Sequence, residues 1–112
     1  MAVVLRAVRG ATTLDEDTES QVRERVAALV EAILARNSLL PDDLVSAIFT
    51  ATGDVTSAFP AAAARAVPGF ADLPLLGCQE MAVAGTVPRC IRVLVHCYTE
   101  RDRAAIQHVY LE

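Results

Sequence analysis

The sequence predicts an α+β domain with one sheet of about five strands, one long helix and short helical turns. Three observations carry this. Only one stretch, residues 18–37, repeats apolar residues at helical spacing over several turns. Five other runs are short, apolar or β-branched, and mostly bounded by Gly, Pro or Asp. The length of 112 residues, without linker, repeat or low-complexity tract, makes 1–112 a single domain.

Val3 to Arg9 reads as the first strand, closed by Gly10. Thr18, with Gln21 three residues later, fits a capping box. From there Val22, Val26, Leu29, Val30, Ile33 and Leu34 form an apolar stripe, with Arg23, Glu24, Glu31 and Arg36 off it. Asn37 is the expected left-handed stop. Pro41-Asp42-Asp43 starts a single turn, and Val45 to Thr52 reads as the second strand, ended by Gly53-Asp54. Ala61 to Val67 is a short Ala-rich helix stopped by Pro68-Gly69. Pro74-Leu75-Leu76 opens a third extended piece. Ile91 to Tyr98 is the fourth, with Ile91, Val93, Val95 and Cys97 on one face and Arg92, Leu94, His96 and Tyr98 on the other. Arg101 to Ala105 reads as a turn or short helix, and Gln107 to Leu111 as the last strand.

Composition narrows the function. Hydrophobic residues make up 54% of the chain and aromatics only 4%, so the core is built from Ala, Val and Leu. So large an apolar share in so short a chain implies burial against other subunits. A net charge of −4 gives no global field for nucleic acid. No apolar run approaches the ~18 residues of a membrane span. The start Met1-Ala2-Val3-Val4-Leu5-Arg6 is too short and wrongly flanked for a signal peptide. Cys78, Cys90 and Cys97 are odd in number and without a CxxC, which points to a reducing, cytoplasmic setting. With His96 and His108 they show no zinc-site spacing, so no metal is expected and they read as buried thiols and ordinary imidazoles. Cys90 and His96 do not suit a nucleophile pair, being about 20 Å apart on an extended strand.

Arg92 is a charge inside an apolar strand, either facing solvent, paired with a carboxylate, or holding a ligand. Arg9 closes another apolar strand beside a glycine, and Arg65 has no acidic neighbour at helical spacing. Three Arg with few acidic partners nearby suit a ligand with two carboxylates. Glu80 is either a solvated loop acid or an acceptor for a substrate hydroxyl. Tyr110 is either a core or edge aromatic or a hydroxyl donated to an anion.

Six segments, in order and at near-family spacing from Val8 to Glu112, tip these alternatives. They are Arg9-Gly10-Ala11-Thr12-Thr13, Asp15-Glu16-Asp17-Thr18, Ser57-Ala58-Phe59-Pro60-Ala61 followed by Arg65, Gln79-Glu80-Met81, Cys90-Ile91-Arg92-Val93 and His108-Val109-Tyr110-Leu111. Together they resemble the monofunctional chorismate mutases of the trimeric type. The resemblance implies a mixed five-stranded sheet with a long helix, three copies of which form a pseudo-α/β barrel with active sites between subunits. It implies an isomerase of the shikimate pathway of aromatic amino acid biosynthesis, turning chorismate into prephenate with no cofactor. It also implies roles. Arg92 donates to the ether oxygen and a carboxylate, Arg9 holds a carboxylate from the neighbouring side, and Tyr110 donates to a carboxylate. Glu80 accepts from the ring hydroxyl. Leu76, Gly77, Cys78 and Gln79 line the pocket with Phe59 and Ala61, and Arg65 sits at the rim.

The chain departs from the family in three places. Many relatives have a small thiol or polar residue where Gly77 stands and Thr or Ser where Leu76 stands. Some have Lys in place of Ala62. Relatives usually run past the Tyr-Leu motif into a tail that can close over the site, whereas this sequence stops at Glu112. Two competing readings are an enamine or imine deaminase of similar trimeric fold and a non-catalytic module binding an aromatic carboxylic acid. Loss of chorismate absorbance separates all three.

Overall fold

In the computed structural model, which describes residues 2–112, the chain runs β1 (Val4–Thr13), α1 (Glu19–Arg36), β2 (Leu44–Ala51), α2 (Pro60–Arg65), β3 (Leu75–Gln79), β4 (Cys90–Thr99) and β5 (Val109–Tyr110). The strands form one sheet in the order β3-β2-β4-β1-β5. The sheet is mixed: β4 is antiparallel to both β1 and β2, while β3 runs parallel to β2 and β5 parallel to β1. This is the α+β, five-stranded arrangement expected from the sequence.

One face of the sheet is covered by helices. Val8 of β1, Ala47 and Phe49 of β2, and Ile91, Val93, Val95 and Cys97 of β4 point into it, as strand alternation requires. Against them lie Val22, Val26, Leu29, Val30 and Ile33 of α1, all at most 2% exposed. Each such side chain contributes about 1.5–3 kcal/mol relative to remaining in water. Ala63 and Ala64 of α2, with Val67 and Phe70, extend the same core.

The first strand does not close at Gly10 but continues to Thr13. Gly10 is there for closeness. A Cβ on it would lie 2.9 Å from Ile33 Cδ1, 3.1 Å from Leu29 Cδ1 and 3.2 Å from Val93 Cγ1, so its absence lets α1 sit on the strand. The capping box is half formed. The Thr18 hydroxyl accepts from the Gln21 N–H at 3.1 Å, but the Gln21 side chain accepts from the Asp15 and Glu16 amides, tying down the preceding loop.

Asn37 is not the left-handed residue. Its φ is −111° and Ser38 takes φ 54°. Asn37 is instead buried, 1% exposed, as a bridge. Its Nδ2 donates to the carbonyls of Ile33 (3.0 Å) and Gln107 (2.9 Å), and its Oδ1 accepts from the Gln107 N–H (2.8 Å). The bridge takes the backbone groups of Gln107, and the His108 ring takes the Arg9 N–H, so β5 begins only at Val109 and is two residues rather than the expected five.

The other sheet face is open. Leu5, Arg9, Leu76, Cys78, Arg92, Tyr98 and Tyr110 are exposed there, with Thr50, Leu94 and His96 half-buried. No helix among the described residues is long and apolar enough to cross a membrane.

Candidate active site

Strand register sets one row of side chains straight across the open face. Arg92 in β4 faces Ala11 of β1 on one side and Thr50 of β2 on the other. Thr50 in turn pairs with Cys78 of β3, and Ala11 with Tyr110 of β5. The row reads Cys78, Thr50, Arg92, Ala11, Tyr110. Arg9 is two residues before Ala11 and projects from the same face. The small side chain of Ala11 leaves a low floor between Arg92 and Tyr110.

Glu80 enters this row from the end of β3. Its N–H donates to the Ala51 carbonyl at 2.8 Å, carrying the β2–β3 ladder one residue further. Its carboxylate then meets Arg92 as a bidentate fork. Nε donates to Oε2 at 2.8 Å and Nη2 to Oε1 at 2.6 Å. The Thr50 hydroxyl also donates to Oε2, at 2.6 Å. Donation from Arg92, then from Thr50, outweighs partial burial and lowers the Glu80 carboxyl to about 2. The same pairing raises the Arg92 guanidinium above its ordinary value. Both groups are therefore charged across the physiological range.

Arg92 is thus paired with a carboxylate, one of the alternatives its sequence left open, and the expectation of few acidic partners does not hold for it. Its acid is Glu80, twelve residues earlier, brought over it by β3 and the loop that follows. The pair does not use up the guanidinium. Arg carries five N–H donors in a fixed plane, so those on Nη1 and the outer edge of Nη2 still point away from Glu80. Arg9 and Arg65 match the expectation, forming no ion pair with the described residues. Arg9 is placed by its backbone: its N–H donates to His108 Nδ1 at 3.0 Å, a side-chain bond just before β5 begins.

A second group of expected residues lies at the β3 edge. Phe59, Gly77, Cys78 and Gln79 line a cleft of about 780 Å³ with Thr56, Ser57 and Ala62. Phe59 is 80% exposed beside it. Ala61 and Arg65 are on α2 but do not line this cleft, and Leu76 stands on the open face. Cys78 belongs to both groups, through its register with Thr50 and its place in the cleft wall. Of the three thiols only Cys97 is buried. Cys90 is half-buried and Cys78 exposed on the edge strand, against the reading of all three as buried. Among the described residues no group of three or more His, Cys, Asp or Glu is placed to hold a metal ion.

The cleft wall is fastened by a residue that the sequence marked only as a member of the segment Asp15-Glu16-Asp17-Thr18. Asp17 accepts from the amides and hydroxyls of both Thr56 and Ser57, at 2.6–3.1 Å. These donors lower its carboxyl to about 2, led by the Ser57 hydroxyl. No spacing signal links positions 17 and 56. Thr50 was likewise missed, because its meeting with Arg92 depends on register between distant strands.

The fold and the row define a small α+β protein whose open sheet face presents a fixed guanidinium, a carboxylate and a phenol. Residues 5–112 match the family model described as chorismate mutase type I. The chain is 38% identical over 110 residues to the chorismate mutase AroH of Bacillus subtilis, covering 98% of this chain and 87% of that one. It is 40% identical over 109 residues to the AroH of Thermus thermophilus, covering 96% and 88%. A solved chorismate mutase from Clostridium thermocellum superposes with a TM-score of 0.91 at 40% identity, covering 95% of this chain and 94% of that one. The chain belongs to the chorismate mutase type I family, and it is an isomerase.

Proposed function

We propose that this chain turns chorismate into prephenate in clefts between three copies of itself, Arg92 supplying the main transition-state contact. The reaction is a pericyclic shift in a dianion. It needs no nucleophile or proton transfer, so the protein acts through two physical terms. One is holding the enolpyruvyl arm over the ring in the reactive geometry. The other is stabilising negative charge that grows on the ether oxygen as the C–O bond breaks. Prephenate then serves aromatic amino acid biosynthesis.

The observation that carries this reading is the Glu80–Arg92 fork on the open face. Glu80 fixes the guanidinium plane by one edge and leaves the other edge for the ether oxygen and a carboxylate. In this account Glu80 accepts from the ring hydroxyl, Tyr110 donates to a carboxylate and Arg9 holds a carboxylate. Phe59, Ala61, Leu76 and the backbone of Gly77, Cys78 and Gln79 belong to a neighbouring copy's wall, with Arg65 at its rim. Two features favour a shared site. The open face exposes large apolar groups, Leu5, Leu76, Tyr98 and Tyr110, each more than half exposed in one copy. The Arg92 row and the Phe59 cleft share only Cys78, and a second copy laid across the open face would close one against the other. The whole chain acts as one domain, and a cytoplasmic setting suits its three unpaired thiols.

Loss of chorismate absorbance on adding the purified protein, with sedimentation in the same buffer, tests the proposal. Conversion by a stable trimer is the expected result. Full activity from a stable monomer at low concentration would remove the shared site.

A further inference from the structure

We infer that Thr50 is a positioning residue for the rearrangement, aiming the Glu80 carboxylate and through it the Arg92 guanidinium. The inference rests on the roles proposed above for Glu80 and Arg92. Thr50 is the one residue in register with Arg92 on β4 and with Cys78 on β3, so it sits in the floor between the Arg and the acid. Its hydroxyl donates to Glu80 Oε2 at 2.6 Å, the oxygen that also accepts Arg92 Nε. Oε1 accepts only Arg92 Nη2 from side chains. Two donors on Oε2 and one on Oε1 fix the carboxylate's rotation about its terminal bond. They leave Oε1 the oxygen with room for a substrate hydroxyl.

Burial does not hold the Arg92 side chain, which is 59% exposed, and holds that of Glu80, 21% exposed, only in part. Exposed ion pairs hold one geometry poorly because two long side chains retain their rotamer freedom. Thr50 changes this. It is short and β-branched, it has few rotamers, and it stands on a central strand paired on both sides. It transfers the rigidity of the sheet to the carboxylate, and the bidentate fork passes that rigidity to the guanidinium. The hydroxyl also helps hold the Glu80 carboxyl low.

The test compares Thr50→Val, which keeps shape and loses the hydroxyl, with Thr50→Ser, which keeps the hydroxyl. Both are assayed for kcat and KM on chorismate, and the Glu80 carboxyl is titrated by NMR. Thr50→Val is expected to lower kcat about tenfold, the loss of one hydrogen bond to a charged group, with a smaller change in KM. It is also expected to raise the Glu80 pKa. Thr50→Ser should restore both. In a Glu80→Ala background, where the hydroxyl has no acceptor left, Thr50→Val should cost little more. Wild-type kcat in Thr50→Val, while Glu80→Gln is impaired, overturns the role of Thr50. An unimpaired Glu80→Gln variant overturns the site reading itself. An equal loss in Thr50→Ser and Thr50→Val, with the Glu80 titration unmoved, makes Thr50 a packing residue and also overturns the inference.

Discussion

Replacing Asn37 by Ala removes the bridge between the end of α1 and the segment that delivers His108 and Tyr110 to the open face. The structure sets the magnitude. Three side-chain hydrogen bonds disappear, one to Ile33 and two to Gln107. The Ile33 carbonyl keeps the Asn37 N–H, at 3.3 Å, so the loss falls mainly on Gln107. At about 1 kcal/mol per bond, with some rehydration of the exposed Gln107, the cost is about 2–3 kcal/mol. Urea unfolding at fixed protein concentration should show a lower midpoint with an unchanged slope. kcat/KM should fall as well, because β5 has only two ladder residues to hold Tyr110 in the row. Asn37→Asp should be no better than Ala, since a carboxylate can accept from the Gln107 N–H but faces two carbonyls. A stability loss below about 0.5 kcal/mol in Asn37→Ala would refute the bridge as the support of this segment.

Three further outcomes are expected. Gly10→Ala should destabilise by about 1–3 kcal/mol, because the new Cβ meets three packed methyl groups of α1 and β4; an unchanged urea midpoint would contradict this. Asp17 is held below its ordinary value in the folded state, so its contribution is present above about pH 4 and lost as pH falls towards 2. Acid unfolding followed by circular dichroism should shift in Asp17→Asn, while wild type and variant converge below pH 2. Activity should survive a divalent-metal chelator, since no step uses a metal; loss restored by adding back a divalent ion would sink the mechanism.

How much was legible in the sequence depends on how far apart the partners lie. The α1 stripe and the alternation of β4 are local patterns, and they gave the buried and open faces correctly, Arg92 included. Gly10 was misread as a terminator, and Asn37, which does cap α1, was misread as its left-handed residue, because turn chemistry and tertiary packing use the same residue types. Only the contact with Ile33 in one case, and with Gln107 in the other, tells them apart. The Glu80–Arg92 fork, the Thr50 hydroxyl and the Asp17 fastening all join residues whose proximity is set by strand register or loop docking. The six short motifs named the right neighbourhood for the first of these, through family resemblance, but did not reveal the pairing. The others left no trace in spacing.

The central claim is that Arg92 stabilises charge that develops as the C–O bond breaks. The most direct measurement is kcat and KM on chorismate for a variant carrying citrulline at position 92, which keeps the shape and most donors but not the charge. A fixed cation is favoured more in the transition state than in the ground state, so kcat should fall by about 10²–10³-fold with a smaller change in KM. Arg92→Lys should also be poor, because a point ammonium cannot span Glu80, the ether oxygen and a carboxylate as a planar fork does. A citrulline variant with raised KM and intact kcat would make Arg92 an anchor for the ground-state carboxylate and contradict the account.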